Sequence, residues 1–196
     1  MPPIKIILAS TSAIRQQLLK NAGITFTCQN PMADENDYKS KNPSLSSQNL
    51  ALGLAGFKAK SIKVPDAIII GADQTLSCKG QLFSKAQTLT EAKACLLALR
   101  GQTHMLHSAI SIFRDGEFFA SVVDSAKLTM RNFSEEFLDE YLKASGTDLL
   151  YSVGCYQLEK QGPQLFEKIE GDYFTILGFP LLQCLAILRQ MKVLKS

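Results

Sequence analysis

A chain of 196 residues with an apolar fraction of 46%, 12 glycines and 7 prolines has the composition of a folded protein with a sizeable core, which excludes disorder. Its net charge of +3 arises from Lys and Arg scattered among acids. Without a basic block or aromatic-basic interleaving, nucleic acid is not an expected partner, and a few local phosphates fit the charge better. No run approaches membrane-spanning length and the apolar stretch after Met1-Pro2-Pro3 is too short for a signal peptide, so no membrane association and a cytoplasmic location are expected.

The apolar stretch Ile4 to Leu8 predicts a first strand. It passes through a turn of small residues into helical periodicity over 12–22, closed by Gly23. Such a turn aims unpaired backbone N–H groups and the positive helix end at one spot, where Ser10, Ser12 and Arg15 add further donors, and that spot suits a phosphate. Ser and Thr there also serve as ordinary caps. Asp34-Glu35, after Pro31, lies in a polar stretch that reads as a solvated loop. Leu50, Leu54 and Phe57 recur at helical spacing, and Lys58 reads as a lysine reaching from that helix toward solvent.

Ala67-Ile68-Ile69-Ile70 predicts a short buried strand ending at Gly71-Ala72-Asp73. A carboxylate in that position is costly to bury unless paired or bound to a cation. Hairpin turns follow at Lys79-Gly80, with Lys85 beyond it, and at Asp115-Gly116 between residues 108–113 and 118–130. Thr88 with Glu91 makes a capping box for a helix running through Leu96 and Leu99 to Gly101, and another helix begins near Ser134. A last helix covers Pro180 to Lys192, with Pro180 in its first turn. His104 and His107 have a spacing that could chelate a metal on a helix, but they fall in an alternating, strand-like run where residues three apart face opposite sides, so a shared metal is not expected. Cys28, Cys78, Cys95, Cys155 and Cys184 form no C-x-x-C pair, so buried, reduced thiols are expected. Helices before, between and after strands predict an α/β fold with a mixed, partly antiparallel sheet.

Taken in order, LASTSAIRQQLL at 8–19, MADEND at 32–37, FKAK at 57–60, IIIGADQTL at 68–76, FSKA at 83–86, EAKACLLALRGQTH at 91–104 and VGCYQLEKQGPQLFEKIEGDYFTILGFPLL at 153–182 resemble the Maf family of nucleoside triphosphate pyrophosphatases. The resemblance implies one Maf/Ham1-like domain over residues 1–196, two-lobed, with an elongated mixed central sheet flanked by helices and a cleft between lobes. It also implies a homodimer and hydrolysis between the α and β phosphates of a nucleoside triphosphate substrate with a divalent cation, Mg²⁺ or Mn²⁺. Asp73 then matches the proton acceptor, Glu35 with Asp73 the metal side, and Ser10, Ser12, Arg15, Lys58 and Lys85 the phosphate contacts.

The sequence departs from the common family pattern at Ser12-Ala13-Ile14-Arg15, where Ser-Pro-Arg-Arg is usual, at Ala86 in place of proline, and at Thr147 and Ser152 in place of Glu and Lys. Gln74 and Glu159 resemble instead the branch acting on 7-methyl-GTP, so both are candidate base-reading residues. The expected function is removal of modified nucleotides. The alternative is a catalytically weak nucleotide-binding regulator of septum formation, motivated by the missing arginine.

Overall fold

A computed structural model describes residues 4–195; Met1 to Pro3 and Ser196 lie outside it. Seven strands form one mixed sheet: β1 (Lys5–Ala9), β2 (Thr27–Cys28), β3 (Ala67–Cys78), β4 (Gln81–Phe83), β5 (Thr103–Arg114), β6 (Glu117–Met130) and β7 (Phe166–Glu170). Their order is β2-β1-β3-β5-β6-β7, with β4 paired to β3 beside that path. β1 runs parallel to β2 and β3, and all other pairs are antiparallel, as the predicted mixed sheet requires. Both hairpin turns have positive φ at their two central residues, 50° and 78° at Lys79 and Gly80, 53° and 85° at Asp115 and Gly116. That is the type I′ geometry whose twist matches the strands it joins.

The helices are α1 (Ala13–Asn21), α2 (Glu35–Lys41), α3 (Ser47–Lys60), α4 (Leu89–Leu99), α5 (Glu135–Ser145), α6 (Tyr173–Ile176) and α7 (Leu181–Gln190). Thr88 and Ser134 start their helices where the sequence puts them, their hydroxyls accepting from the N–H groups of Glu91 and Phe137, and the structure shows Ser46 capping α3 likewise through Asn49 N–H. Glu91 closes its box one residue earlier than expected, accepting from Gln87 N–H at 2.8 Å. Pro180 is the N-cap of α7 rather than a first-turn residue.

Period-two alternation divides the long strands between two faces. The even-numbered side of β3 carries Ile68, Ile70 and Ala72 into one core with α1 and α7, then Leu76 and Cys78 into a second core with α4 and α5. Between the two cores runs a polar row across three strands, since Gln74 is in register with Ser108 and Ser108 with Asp124. The opposite face packs against α3 through Ala51, Ala55 and Ala59.

Three expectations are corrected here. The buried strand does not end at Gly71-Ala72-Asp73 but continues to Cys78. Gly71 is inside it, because a Cβ there would meet the Ala55 carbonyl oxygen at 2.0 Å and the Ala59 nitrogen at 2.7 Å, and only glycine lets α3 lie this close. The stretch at Asp34-Glu35 is not a loop: Asp34 caps α2, accepting from Asn36 and Asp37 N–H at 3.0 Å. Its helix buries no residue, so hydrophobic periodicity had nothing to detect. All five cysteines are free, yet Cys28 is exposed and Cys95 only partly covered.

Gly71→Ala is expected to destabilise the protein by at least about 3 kcal/mol, since both clashing atoms are backbone and cannot rotate away. Denaturant unfolding checks this, and a wild-type midpoint would mean that α3 can slide outward.

Candidate active site

β3 is longer than either of its partners on one edge. β1 pairs with it only through Gly71 and β4 only from Leu76, so residues 72–75 face that edge without a strand neighbour. Most of the residues expected at the site gather around this interruption in the sheet.

Asp73 points to the α3 face and is buried, with Lys58 Nζ 2.5 Å from its Oδ1. The same ammonium lies 2.8 Å from Glu35 Oε1. Lys58 is therefore not the solvent-reaching lysine of the simple helical reading: it is 7% exposed and held between two carboxylates. Burying a lone ion is prohibitive, and this trio is tolerable because each charge has a partner. Burial raises the Glu35 carboxyl, but the Lys58 charge and hydrogen bond, helped by Lys39 and Lys85, hold it below the usual carboxylate range.

The first turn reaches the same stretch of β3, through Arg15 and the Ala72 carbonyl. Ser10 is buried, and its Oγ accepts from Ser12 N–H at 3.2 Å and Arg15 Nη1 at 3.4 Å. The Ser12 side chain makes no capping bond, and the first intrahelical bond is Gln16 N–H to the Ser12 carbonyl at 3.2 Å. The N–H groups of Ala13, Ile14 and Arg15 thus precede the helical ladder, as anion binding at a helix start demands. Arg15 does more than face an anion: its Nη1 donates to the Ala72 carbonyl at 2.8 Å and its Nε to the Gly178 carbonyl at 2.9 Å. Burial lowers its pKa while the Asp73 and Glu35 charges oppose that shift.

Lys85, exposed after β4, is near enough to Arg15, Lys58, Glu35 and Asp73 for their charges to act on it. Crowding by protein atoms, then repulsion from Arg15 and Lys58, holds its ammonium below the usual lysine range. If Lys85 holds a phosphate, its protonated form is the one that does so, and kcat/KM should begin to fall at a lower alkaline pH than an unperturbed lysine would allow. Lys85→Arg should move that limb upward, as a pH profile of kcat/KM would measure.

Gln74 projects to the opposite face from Asp73, into the polar row. Its Nε2 meets Ser108 Oγ at 3.0 Å and the carbonyls of Thr175 and Ile176 at 3.2 and 3.0 Å. Ser108 donates to the Thr175 carbonyl at 2.6 Å. Turning the amide over would set its oxygen against two carbonyls, so the nitrogen faces inward and Oε1 is the free end, beside Gly178. Glu159 stands apart from the phosphate end: it is exposed, on the rim of an apolar groove of about 550 Å³ walled by Ile14, Leu18, Tyr173, Phe174 and Leu177. Sequence reasoning missed Ser108, Thr175 and the aromatic wall. Ser108 had a signal, being a polar residue at an inward position between Leu106 and Ile110 of a buried strand.

The arrangement gathers three cations, two carboxylates and a helix start around one gap, with an apolar groove beside it. The Maf-like protein family matches residues 5–191. A nucleoside triphosphate pyrophosphatase of Caulobacter vibrioides is 49% identical over 94% of each chain. A 7-methyl-GTP pyrophosphatase of Bartonella henselae is 42% identical over 96% of each, and one of Rhizobium johnstonii is 44% identical over 95% of this chain and 96% of the other. On a match that spans nearly its whole length, the chain belongs to the Maf family.

Proposed function

We propose that this Maf-family hydrolase cleaves nucleoside triphosphates between the α and β phosphates, releasing a monophosphate and pyrophosphate. The carrying observation is the buried Asp73 carboxylate, set in the strand gap with Lys58 and Glu35 and faced by Arg15, Lys85 and the start of α1. A general base needs a carboxylate near the attacked phosphorus, and a tetra-anion needs cations where charge moves toward the leaving group. Asp73 takes the proton from water, and Lys58, Lys85, Arg15, Ser10 and Ser12 hold the phosphates. Little covalent chemistry is required of the protein.

A divalent cation belongs to the same proposal. Asp73 and Glu35 already converge on one positive charge, which is the donor chemistry that suits Mg²⁺ or Mn²⁺. No group of three or more His, Cys, Asp or Glu side chains converges among the described residues, so a bound ion would be held by these two carboxylates and would take its remaining oxygen ligands from water and substrate. When bound, the ion neutralises charge on the leaving pyrophosphate.

Guanine, and 7-methyl-guanine above all, is the proposed base. The Gln74 Oε1 and the Glu159 carboxylate are both acceptors, and guanine presents two adjacent donors where uracil presents one donor between carbonyls. Relatives named for 7-methyl-GTP support this reading. Glu159→Gln is expected to lower the preference for guanine over pyrimidine triphosphates by roughly ten- to a hundredfold, the worth of a charge-assisted bond made in the transition state. An unchanged ratio of kcat/KM values for 7-methyl-GTP and UTP would remove Glu159 from base recognition.

The test of the whole reading is a panel of nucleoside triphosphates incubated with Mg²⁺ or Mn²⁺, with pyrophosphate and orthophosphate detected separately. Orthophosphate and a diphosphate as main products would overturn the bond assignment. Nucleotide binding without any product would favour the regulatory alternative.

A further inference from the structure

The polar row that begins at Gln74 ends at a carboxylate the proposed chemistry does not use. Asp124, half-buried on β6, is paired with no Lys or Arg among the described residues. Its partners are neutral donors. Oδ1 accepts from the Ser125 N–H at 2.8 Å, and Oδ2 from the Thr175 hydroxyl at 2.7 Å and from Gln183 Nε2 at 3.2 Å. Thr175 is on α6 and Gln183 on α7, so one oxygen fastens both helices to β6. Between those helices lies Gly178, which sits beside Gln74 Oε1 and whose carbonyl accepts from Arg15. Gln183 keeps its donor on Asp124 although its Oε1 is buried with no hydrogen-bond partner among the described residues, since the turned amide would set that oxygen against the carboxylate.

Thr175 carries this hold to Gln74. It is fully buried, its N–H donates to Asp172 Oδ1 at 3.0 Å, and its carbonyl accepts from Ser108 Oγ at 2.6 Å and from Gln74 Nε2 at 3.2 Å. α6 is a single turn of four residues, too short to keep its shape without such anchors. Groups that can only accept set the direction of the bonds in the row. The Asp124 carboxylate takes the Thr175 hydroxyl proton, the Thr175 carbonyl takes the Ser108 proton, and Ser108 Oγ is left to accept from Gln74.

We propose that Asp124 is a positioning residue for base selection: acting through Thr175, it holds the Gln74 amide with its oxygen toward the base. This rests on the reading of Gln74 as an acceptor for guanine. With the bond to Asp124 gone, the Thr175 hydroxyl has only Asp172 Oδ1, 3.4 Å away in the cap of the same helix, and its tie to β6 is lost. The Thr175 and Ile176 carbonyls then no longer stand fixed against the amide nitrogen. An amide free to turn presents N–H₂ as readily as oxygen, and N–H₂ suits a uracil carbonyl but not the adjacent donors of guanine.

The test compares the full chain with Asp124→Ala and with Thr175→Val, which keeps the branched shape but deletes the hydroxyl; Thr175→Ser restores that hydroxyl. The first readout is the Gln74 side-chain N–H₂ pair in a nitrogen–proton correlation spectrum, identified by its disappearance in Gln74→Ala. Its hydrogens should exchange slowly with solvent in the wild type and in Thr175→Ser, and at least about tenfold faster in Asp124→Ala and Thr175→Val. The second readout is the ratio of kcat/KM values for GTP and UTP, which should fall about tenfold in the same two variants and return in Thr175→Ser. A merely structural role would lower both substrates alike and leave that ratio unchanged.

An amide as protected in both variants as in the wild type would overturn the positioning role, and this readout needs no turnover. A loosened amide with an unchanged substrate ratio would overturn the reading of guanine by Gln74, and with it the part of Asp124 in base selection.

Discussion

Asp73→Asn is expected to lower turnover of nucleoside triphosphates by about 10²- to 10⁴-fold, the usual cost of losing a general base, while leaving a folded protein. The side chain keeps its shape but can no longer accept the proton of the attacking water or contribute a charge toward a cation. Folding should survive because Lys58, which loses one carboxylate, retains the other: Glu35 Oε1 is 2.8 Å away. Removing the sole partner of a buried charge costs about 3–5 kcal/mol, and a second partner should keep the loss well below that. The measurement is kcat beside the melting temperature. Wild-type turnover in the folded variant would assign the base elsewhere, with Glu35 the next candidate. A protein that fails to fold would show the Asp73–Lys58 pair to be the structural keystone instead.

Arg15→Ala is expected to damage stability and catalysis together. Its two short hydrogen bonds, to the Ala72 and Gly178 carbonyls, join the start of α1 to the open edge of β3 and to the segment between α6 and α7. Hydrogen bonds from a charged donor contribute about 1.5–3 kcal/mol each, and truncation also strands two carbonyls, so a loss of about 3 kcal/mol is expected. For a chain of this length that corresponds to a melting temperature lower by roughly 6–12 °C. Catalytic efficiency should fall as well, since the guanidinium also supplies positive charge beside Asp73. Arg15→Lys separates the two roles: it keeps the charge but cannot span both carbonyls, so it should recover more activity than stability. A full-strength melting temperature in Arg15→Ala would reduce Arg15 to a phosphate contact.

Much of the fold was legible because the features that encode it are local. The helix starts at Thr88 and Ser134, the Asp-Gly and Lys-Gly turns, and the β-branched run at 67–70 act over a few residues, and each stands where those residues place it. Glu35 was legible as a candidate but not as a helical residue. α2 buries no residue, and it meets α3 through the Tyr38–Phe57 ring contact and the Glu35–Lys58 ion pair, with residues distant in sequence. The strand through Gly71 shows the converse error, for glycine punctuates a chain locally yet here answers to a helix packed on top of it.

The sequence by itself determined the family, the α/β class with its mixed sheet, and the residue types needed for phosphate chemistry: a small-residue turn before a helix, an acid at the end of an apolar run, and lysines in reach. Only the tertiary structure decided that β3 continues past the end of β1 and leaves residues 72–75 without a strand neighbour before β4 joins it. It also decided that Lys58 is shared by two carboxylates, that Arg15 fastens elements as well as carrying charge, and that three inward contacts turn the Gln74 amide so that it offers an oxygen. The physical reason is common to all of these. Pattern and propensity report a residue's near neighbours along the chain, whereas ion pairing, burial and amide orientation depend on groups brought near only when strands and helices pack.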